Sequence, residues 1–207
     1  MLKASDIAPA PGIRRVGTDS VTALAEITAD AFRDDPFNRW LFGCFEPMQR
    51  TFVNLARHIY APNGFCQILN EGGEGLAATM WLMPGHKPNA SPIGMLKTYS
   101  GLFASGGWGA LMRGKAAGDA MARHHPAEPH VYLFTVGVTS AGRGKGLGRR
   151  LIEPVLDACD RTGTMAYLEN SNPANQRFYA SLGFERVELF HAAPESPPLE
   201  AMQRLPR

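Results

Sequence analysis

The residues best suited to chemistry lie in one run, Val136-Gly137-Val138-Thr139-Ser140-Ala141-Gly142-Arg143-Gly144-Lys145-Gly146-Leu147-Gly148-Arg149. Glycines at 142, 144, 146 and 148 alternate with Arg143, Lys145 and Leu147, and Arg149 and Arg150 follow. A backbone without Cβ atoms lets a ligand come close. The N–H groups that open a helix have no internal partner, and the helix dipole is positive there. A glycine loop leading into a helix therefore binds phosphate, and these basic side chains add charge. Two common phosphate loops do not match. The dinucleotide fingerprint needs glycines at offsets 0, 2 and 5. Counted from Gly142 the last position is Leu147, and counted from Gly144 it is Arg149. The triphosphate loop needs a hydroxyl residue after Gly-Lys to reach Mg²⁺. Gly146 follows Gly144-Lys145, and Ala116 follows Gly114-Lys115. What remains is Arg143-x-x-Gly146-x-Gly148.

The elements around this run suit such a loop. Residues 131–138 are β-branched and aromatic and predict a strand. A helix starts near Gly146, and Leu147, Leu151, Ile152, Val155, Leu156 and Cys159 mark its buried stripe. Pro154 lies inside that helix and should bend it. Residues 164–169 predict the next strand, 172–182 a short helix ended by Gly183, and 184–189 and 199–204 the last strands. Upstream, 13–16 predicts a strand, and Thr18-Asp19-Ser20 offers caps for a helix that Asp34-Asp35-Pro36 ends. Phe37, Trp40, Phe42 and Phe45 form an aromatic cluster before a helix over 47–60. Residues 65–69 and 76–83 read as a hairpin, and 84–92 as a proline-rich loop. Two helices, 93–103 and 108–124, are broken by Ser105-Gly106-Gly107.

Composition narrows the class. Over 207 residues, 44% are hydrophobic and 19% charged, which argues for a packed core in one α/β (α+β) domain spanning 1–207, with 1–11 a flexible lead-in. A net charge of +2 is too small to suggest a nucleic-acid or anionic-membrane partner. Cys44, Cys66 and Cys159 have no metal or redox spacing, and no metal is expected. Nothing resembles a membrane span or a signal peptide, so a cytoplasmic protein is expected.

Arg143-x-x-Gly146-x-Gly148 resembles the pyrophosphate loop of the GNAT family of acyl-CoA N-acyltransferases. Tyr167-Leu168-Glu169 and the run from Asn172-Pro173 to Gly183-Phe184 resemble that family's later strand, helix and turn. Ala31-Phe32, Asp34-Asp35-Pro36, His125-Pro126 and Glu128-Pro129-His130 extend the resemblance toward the puromycin N-acetyltransferase-like branch. It implies the GNAT fold, a mixed, mainly antiparallel sheet with helices on both faces and a V-shaped split between two parallel strands. It also implies that Val136, Gly137 and Val138 pair with the pantetheine arm of acetyl-CoA, with Gly137 making a bulge. Arg143, Gly144, Lys145, Gly146, Leu147, Gly148 and Arg149 would hold the pyrophosphate, with Asn172 and Asn175 near the cofactor.

The implied reaction moves an acetyl group from acetyl-CoA to a primary amine of a small molecule, by direct attack in a ternary complex. The amine must lose a proton first, and Glu169 is the candidate base. Tyr179 is the candidate donor to the leaving sulfur. Plainer readings stay open: Glu169 as a structural carboxylate, Tyr179 as a core aromatic, and Asn172 and Asn175 as helix caps. His124 and His125 read as surface residues, and His130 is left open. Acetylation of proteins or peptides, or a non-catalytic acyl-CoA sensor, are the alternatives, and the chain is expected to be a monomer or homodimer.

Overall fold

A computed structural model describes residues 2–8, 10–18, 20–86 and 92–207. Asp19 of the expected cap and residues 87–91 of the expected loop lie outside them. Seven strands form one sheet: β1 (Ile13–Val16), β2 (Gly64–Glu71), β3 (Glu74–Leu82), β4 (His130–Val138), β5 (Met165–Asn170), β6 (Glu185–His191) and β7 (Pro198–Arg204). Their order is β1-β2-β3-β4-β5-β7-β6. All neighbours are antiparallel except β4 and β5, so the expected mixed sheet with one parallel pair is the one formed. The helices are α1 (Val21–Ala31), α2 (Pro36–Phe42), α3 (Phe45–Leu55), α4 (Ala61–Asn63), α5 (Pro92–His124), α6 (Leu147–Thr162) and α7 (Gln176–Ser181).

Side-chain alternation sorts the core onto two faces. On β3, Ala78, Met80 and Leu82 join Leu24 and Ala25 of α1 and Met48 and Phe52 of α3. The intervening Trp81 faces Ile152 and Val155 of α6, and Ala77 meets Leu147 and Leu151. Burying each such aliphatic side chain is worth about 1.5–3 kcal/mol. The α6 stripe thus pins that helix, and its N-terminus, against the sheet. Pro154 removes one helical bond without ending α6.

Three local expectations need correction. Residues 2–8, expected to fray, are docked: Leu2 and Ile7 are buried beside Phe65 and Trp81, and Arg161 donates to the Asp6 carbonyl at 3.0 Å. The aromatic cluster is part helix, because the Asp35 carboxylate accepts the Asn38 N–H at 2.9 Å and Pro36 occupies the first turn. The expected 47–60 helix becomes α3 followed by a π-helical turn, Ala56–Tyr60. The break in α5 is where the sequence places it, with Gly106 and Gly107 non-helical.

The parallel ladder between β4 and β5 stops at Leu133↔Leu168, and the strands then diverge. The β3–β4 register shifts between Met80/Trp81, leaving Phe134 without a partner. The bulge expected at Gly137 is therefore at Phe134. Gly137 pairs regularly with Ala78. Its small size serves a different contact: a Cβ there would lie 2.9 Å from the Ala31 Cβ, so glycine lets α1 press against β4.

Candidate active site

Backbone geometry sets what the split offers. Thr139 N–H bonds to the Leu76 carbonyl at 2.9 Å, so alternate residues of β4 turn their polar groups toward β3. Val136 and Val138 turn theirs the other way, into the split, beyond the last β5 pairing. A cleft of about 490 Å³ runs from these valines along Gly142, Arg143, Gly144, Gly146, Leu147, Gly148 and Arg149 to Asn172, Asn175, Phe178 and Tyr179. Gly144 and Gly146 adopt φ of +77° and +72°, a region that other residues rarely enter. The opening amides of α6 precede its first helical bond, from Arg150 N–H to the Gly146 carbonyl at 3.2 Å, and Gly146, Leu147, Gly148 and Arg149 all line the cleft.

The expected cofactor residues mostly converge there, with three differences. Gly137 and Lys145 do not line the cleft. Arg150, counted with the basic side chains, turns away to pair with Glu71 and the Pro11 carbonyl. Arg149 stays at the cleft while bonding Glu153 at 2.9 Å and Ser181 at 2.6 Å. Asn172 caps the turn before α7 through its side chain, which accepts the Ala174 N–H at 3.0 Å, and also lines the cleft. A row of backbone amides, two positive-φ glycines and a free strand edge fit a diphosphate followed by an amide-bearing arm.

A second cavity, of about 890 Å³, lies on the other side of the split. Its walls are largely aromatic and aliphatic: Phe32, Phe37, Leu41, Phe42 and Phe52 from the α1–α3 region, Tyr60 from the π-helical turn, Tyr99 and Leu102 from α5, and Phe134 from β4. Tyr60 and Phe134 stack at 4.4 Å. Phe32, Val136, Asn175 and Tyr179 line both spaces, so the two meet at these residues.

The cavity's polar groups include Glu169, Thr135, His125 and His130, on β4, β5 and the segment before β4. The Glu169 side chain is only 2% exposed, and its Oε1 has no hydrogen-bond partner. The Thr135 hydroxyl is likewise buried and unpaired. Burial, then the Glu169 charge, raises the phenols of Tyr60, Tyr132 and Tyr167, so all three keep their protons beside the carboxylate. Burial, then Asp35, raises Tyr179. Asp35 is itself raised by burial, and accepts from Asn38 at 2.8 Å and Ser171 at 2.7 Å. It thereby ties the α1–α2 junction to the loop after β5. Among the described residues no cluster of His, Cys, Asp or Glu could hold a metal ion. None of the described helices is long and apolar enough to cross a membrane.

Several of these residues escape a sequence reading. His125, expected at the surface, sits in the cavity wall with its Nδ1 3.5 Å from Glu169 Oε1. His130 is joined to it at 2.9 Å. Asp35 reads from sequence only as a helix end, and Thr135 as one more strand residue.

A model of the acetyltransferase (GNAT) family matches residues 76–184. An uncharacterized N-acetyltransferase of Schizosaccharomyces pombe is 26% identical over 216 residues, covering 93% of this chain and 83% of that protein. Among solved structures, a Corynebacterium glutamicum protein described as histone acetyltransferase HPA2 and related acetyltransferase superposes with TM-score 0.71 at 23% identity, over 95% of this chain and 97% of that one. A Drosophila melanogaster polyamine N-acetyltransferase superposes with TM-score 0.61 at 18% identity, over 93% and 98%. At such identities the structural likeness is one of fold.

Proposed function

The chain belongs to the GNAT family of acetyltransferases, and from that premise we propose that it acetylates the primary amine of a small molecule with an apolar or aromatic body, by direct attack in a ternary complex. It is an acetyl-CoA-dependent N-acetyltransferase, and acetyl-CoA supplies the activated acetyl group. The carrying observation is that the amide-lined cleft and the largely apolar cavity meet at Phe32, Val136, Asn175 and Tyr179, with the buried Glu169 carboxylate on the cavity side.

The residues divide the work. Gly144, Gly146 and the opening amides of α6 hold the diphosphate, with Arg143 and Arg149 beside them. Val136 and Val138 present strand-edge groups to the pantetheine arm, and a Val138 N–H facing the split is placed to receive a developing oxyanion. Glu169 takes the proton that keeps the amine from attacking. Tyr179 donates a hydrogen bond to the leaving sulfur. A thiol near 8.5 is the stronger acid, and burial raises this phenol further. Full proton transfer from Tyr179 is therefore uphill, and its contribution is the bond itself.

The mostly apolar cavity favours a small acceptor over a peptide laid in an open groove. One structural neighbour is described as a histone acetyltransferase and another as a polyamine N-acetyltransferase, so both acceptor classes belong in the test. The fragments Asp34-Asp35-Pro36 and Glu128-Pro129-His130 support placing the chain near the puromycin N-acetyltransferase-like branch. The experiment is release of CoA thiol from acetyl-CoA across aromatic amines, aminonucleosides, polyamines and peptides. Turnover confined to small amines with apolar bodies is the expected result. Preference for peptides overturns the acceptor class, and tight acetyl-CoA binding without turnover on any amine leaves a sensor.

A further inference from the structure

Resting on the reading of Glu169 as the group that receives the amine's proton, we propose that His125 relays this proton to water and that His130 positions it by fixing its tautomer. The hydrogen-bond chain carries the inference. His130 Nδ1 lies 2.7 Å from the Glu128 carbonyl oxygen. A carbonyl only accepts, so Nδ1 carries the hydrogen. Burial lowers the pKa of His130, which keeps the ring neutral and its Nε2 bare. His125 Nε2 is 2.9 Å from that bare nitrogen and must donate to it. A neutral His125 then has a bare Nδ1, and this is the atom 3.5 Å from Glu169 Oε1. Two lone pairs face each other with room for one proton between them. That accounts for a buried carboxylate oxygen with no hydrogen-bond partner.

The surroundings give the relay a direction. Tyr132 and Tyr167 hold the His125 ring edge-on at 4.7 and 5.1 Å. Both are raised by burial and keep their protons, as does Tyr60. The titratable groups facing His125 are thus Glu169 and Tyr167 from β5 and His130 and Tyr132 from β4, and Glu169 is the one placed to exchange a proton with it. The Glu169 side chain is 2% exposed and that of His125 19%, so the path runs from dry to wet. In the step, an ammonium N–H bond breaks and a Glu169 O–H bond forms. That O–H then breaks as His125 Nδ1–H forms, leaving an imidazolium beside the restored carboxylate. Water entering the cavity takes that same proton from Nδ1, the Nε2–H bond to His130 persists, and His125 returns to its neutral Nε2–H form.

The test compares pH profiles of kcat for wild type, His125→Gln, His130→Leu, His130→Gln and Glu169→Gln, with 2-phenylethylamine as the probe amine. Wild type supplies the reference profile. His125→Gln should lower kcat by about 100-fold, change the shape of the profile and regain activity with added imidazole, while acetyl-CoA KM stays put. His130→Leu should also lower kcat. His130→Gln, whose carbonyl can accept from His125, should restore it. Wild-type kcat and profile in His125→Gln, with Glu169→Gln inactive, would overturn the relay and leave the Glu169 reading standing. Wild-type kcat in both would overturn that reading as well. Nitrogen NMR of the unmutated, labelled protein is independent of variant folding. A neutral His125 with hydrogen on Nε2 is expected, and hydrogen on Nδ1 overturns the proposal.

Discussion

The cleft and the cavity that meet at Tyr179 are built by opposite means. The cleft is largely backbone: two positive-φ glycines, the opening turn of α6 and the free edge of β4, most of it from residues 136–149. The cavity is side chains, brought from α1 to α3, from α5, and from β4 and β5. A backbone site reads the shape and charge of a diphosphate and depends on a few dihedral angles. A side-chain site reads volume and polarity, and each wall residue changes what fits. Cofactor binding should therefore be fragile at glycines and tolerant elsewhere, whereas acceptor choice should respond to many small substitutions.

The largest effect should come where the cavity does chemistry. Glu169→Gln keeps the shape of the wall but removes the proposed base, so kcat should fall by about 10²–10⁴-fold with acetyl-CoA affinity retained. Steady-state kinetics with calorimetry would check this, and a joint loss of both would break the division drawn above. Next is Gly146→Val, which forces a β-branched residue into φ +72° where space itself is open. The strain of about 1–3 kcal/mol should weaken acetyl-CoA binding by about 10- to 100-fold, measured by calorimetry. Since no atom would obstruct the new Cβ, unchanged affinity would mean that backbone conformation does not govern this cleft.

Tyr179→Phe removes the proposed hydrogen bond to the charged leaving sulfur, worth about 1.5–3 kcal/mol. A kcat loss of about 10- to 100-fold is expected, larger for acyl donors with poorer leaving groups. Phe134→Leu trims the ring that stacks on Tyr60 and should raise acceptor KM by about 10-fold without touching acetyl-CoA KM.

The smallest effect on either site should come from Asp160→Asn. Arg204 holds the Asp160 carboxyl below its ordinary range, through contacts of 2.8 and 2.7 Å. A depressed carboxylate contributes stability above its unfolded pKa and loses it as pH falls through the folded value. Thermal melts should therefore show the variant less stable by about 1–3 kcal/mol at pH 7, with the gap closing below about pH 4, while both kinetic constants hold.

Much of the architecture is legible along the chain because its signals are local. The α6 stripe, the hairpin, the Gly106–Gly107 break and the seven strands each follow from a period or a turn residue within a short window. Signals that overlap are harder. Asp35-Pro36 ends one helix and caps the next, and only the first role shows in the sequence. Gly137 invites a bulge, but the cause of its size is Ala31 of α1, which lies far away in sequence.

Taken alone, the sequence determined the glycine-rich turn that opens α6, since a glycine's dihedral freedom and a helix's unpaired amides belong to contiguous residues. It likewise placed Glu169 at the end of a strand and Tyr179 within the short helix that follows. Tertiary structure alone decided that Glu169 is buried with one oxygen lacking a hydrogen-bond partner, that Phe134 carries the bulge, and that His125 packs beside Glu169. Desolvation and proton sharing depend on which distant groups pack around an atom, and no window of neighbouring residues contains that information.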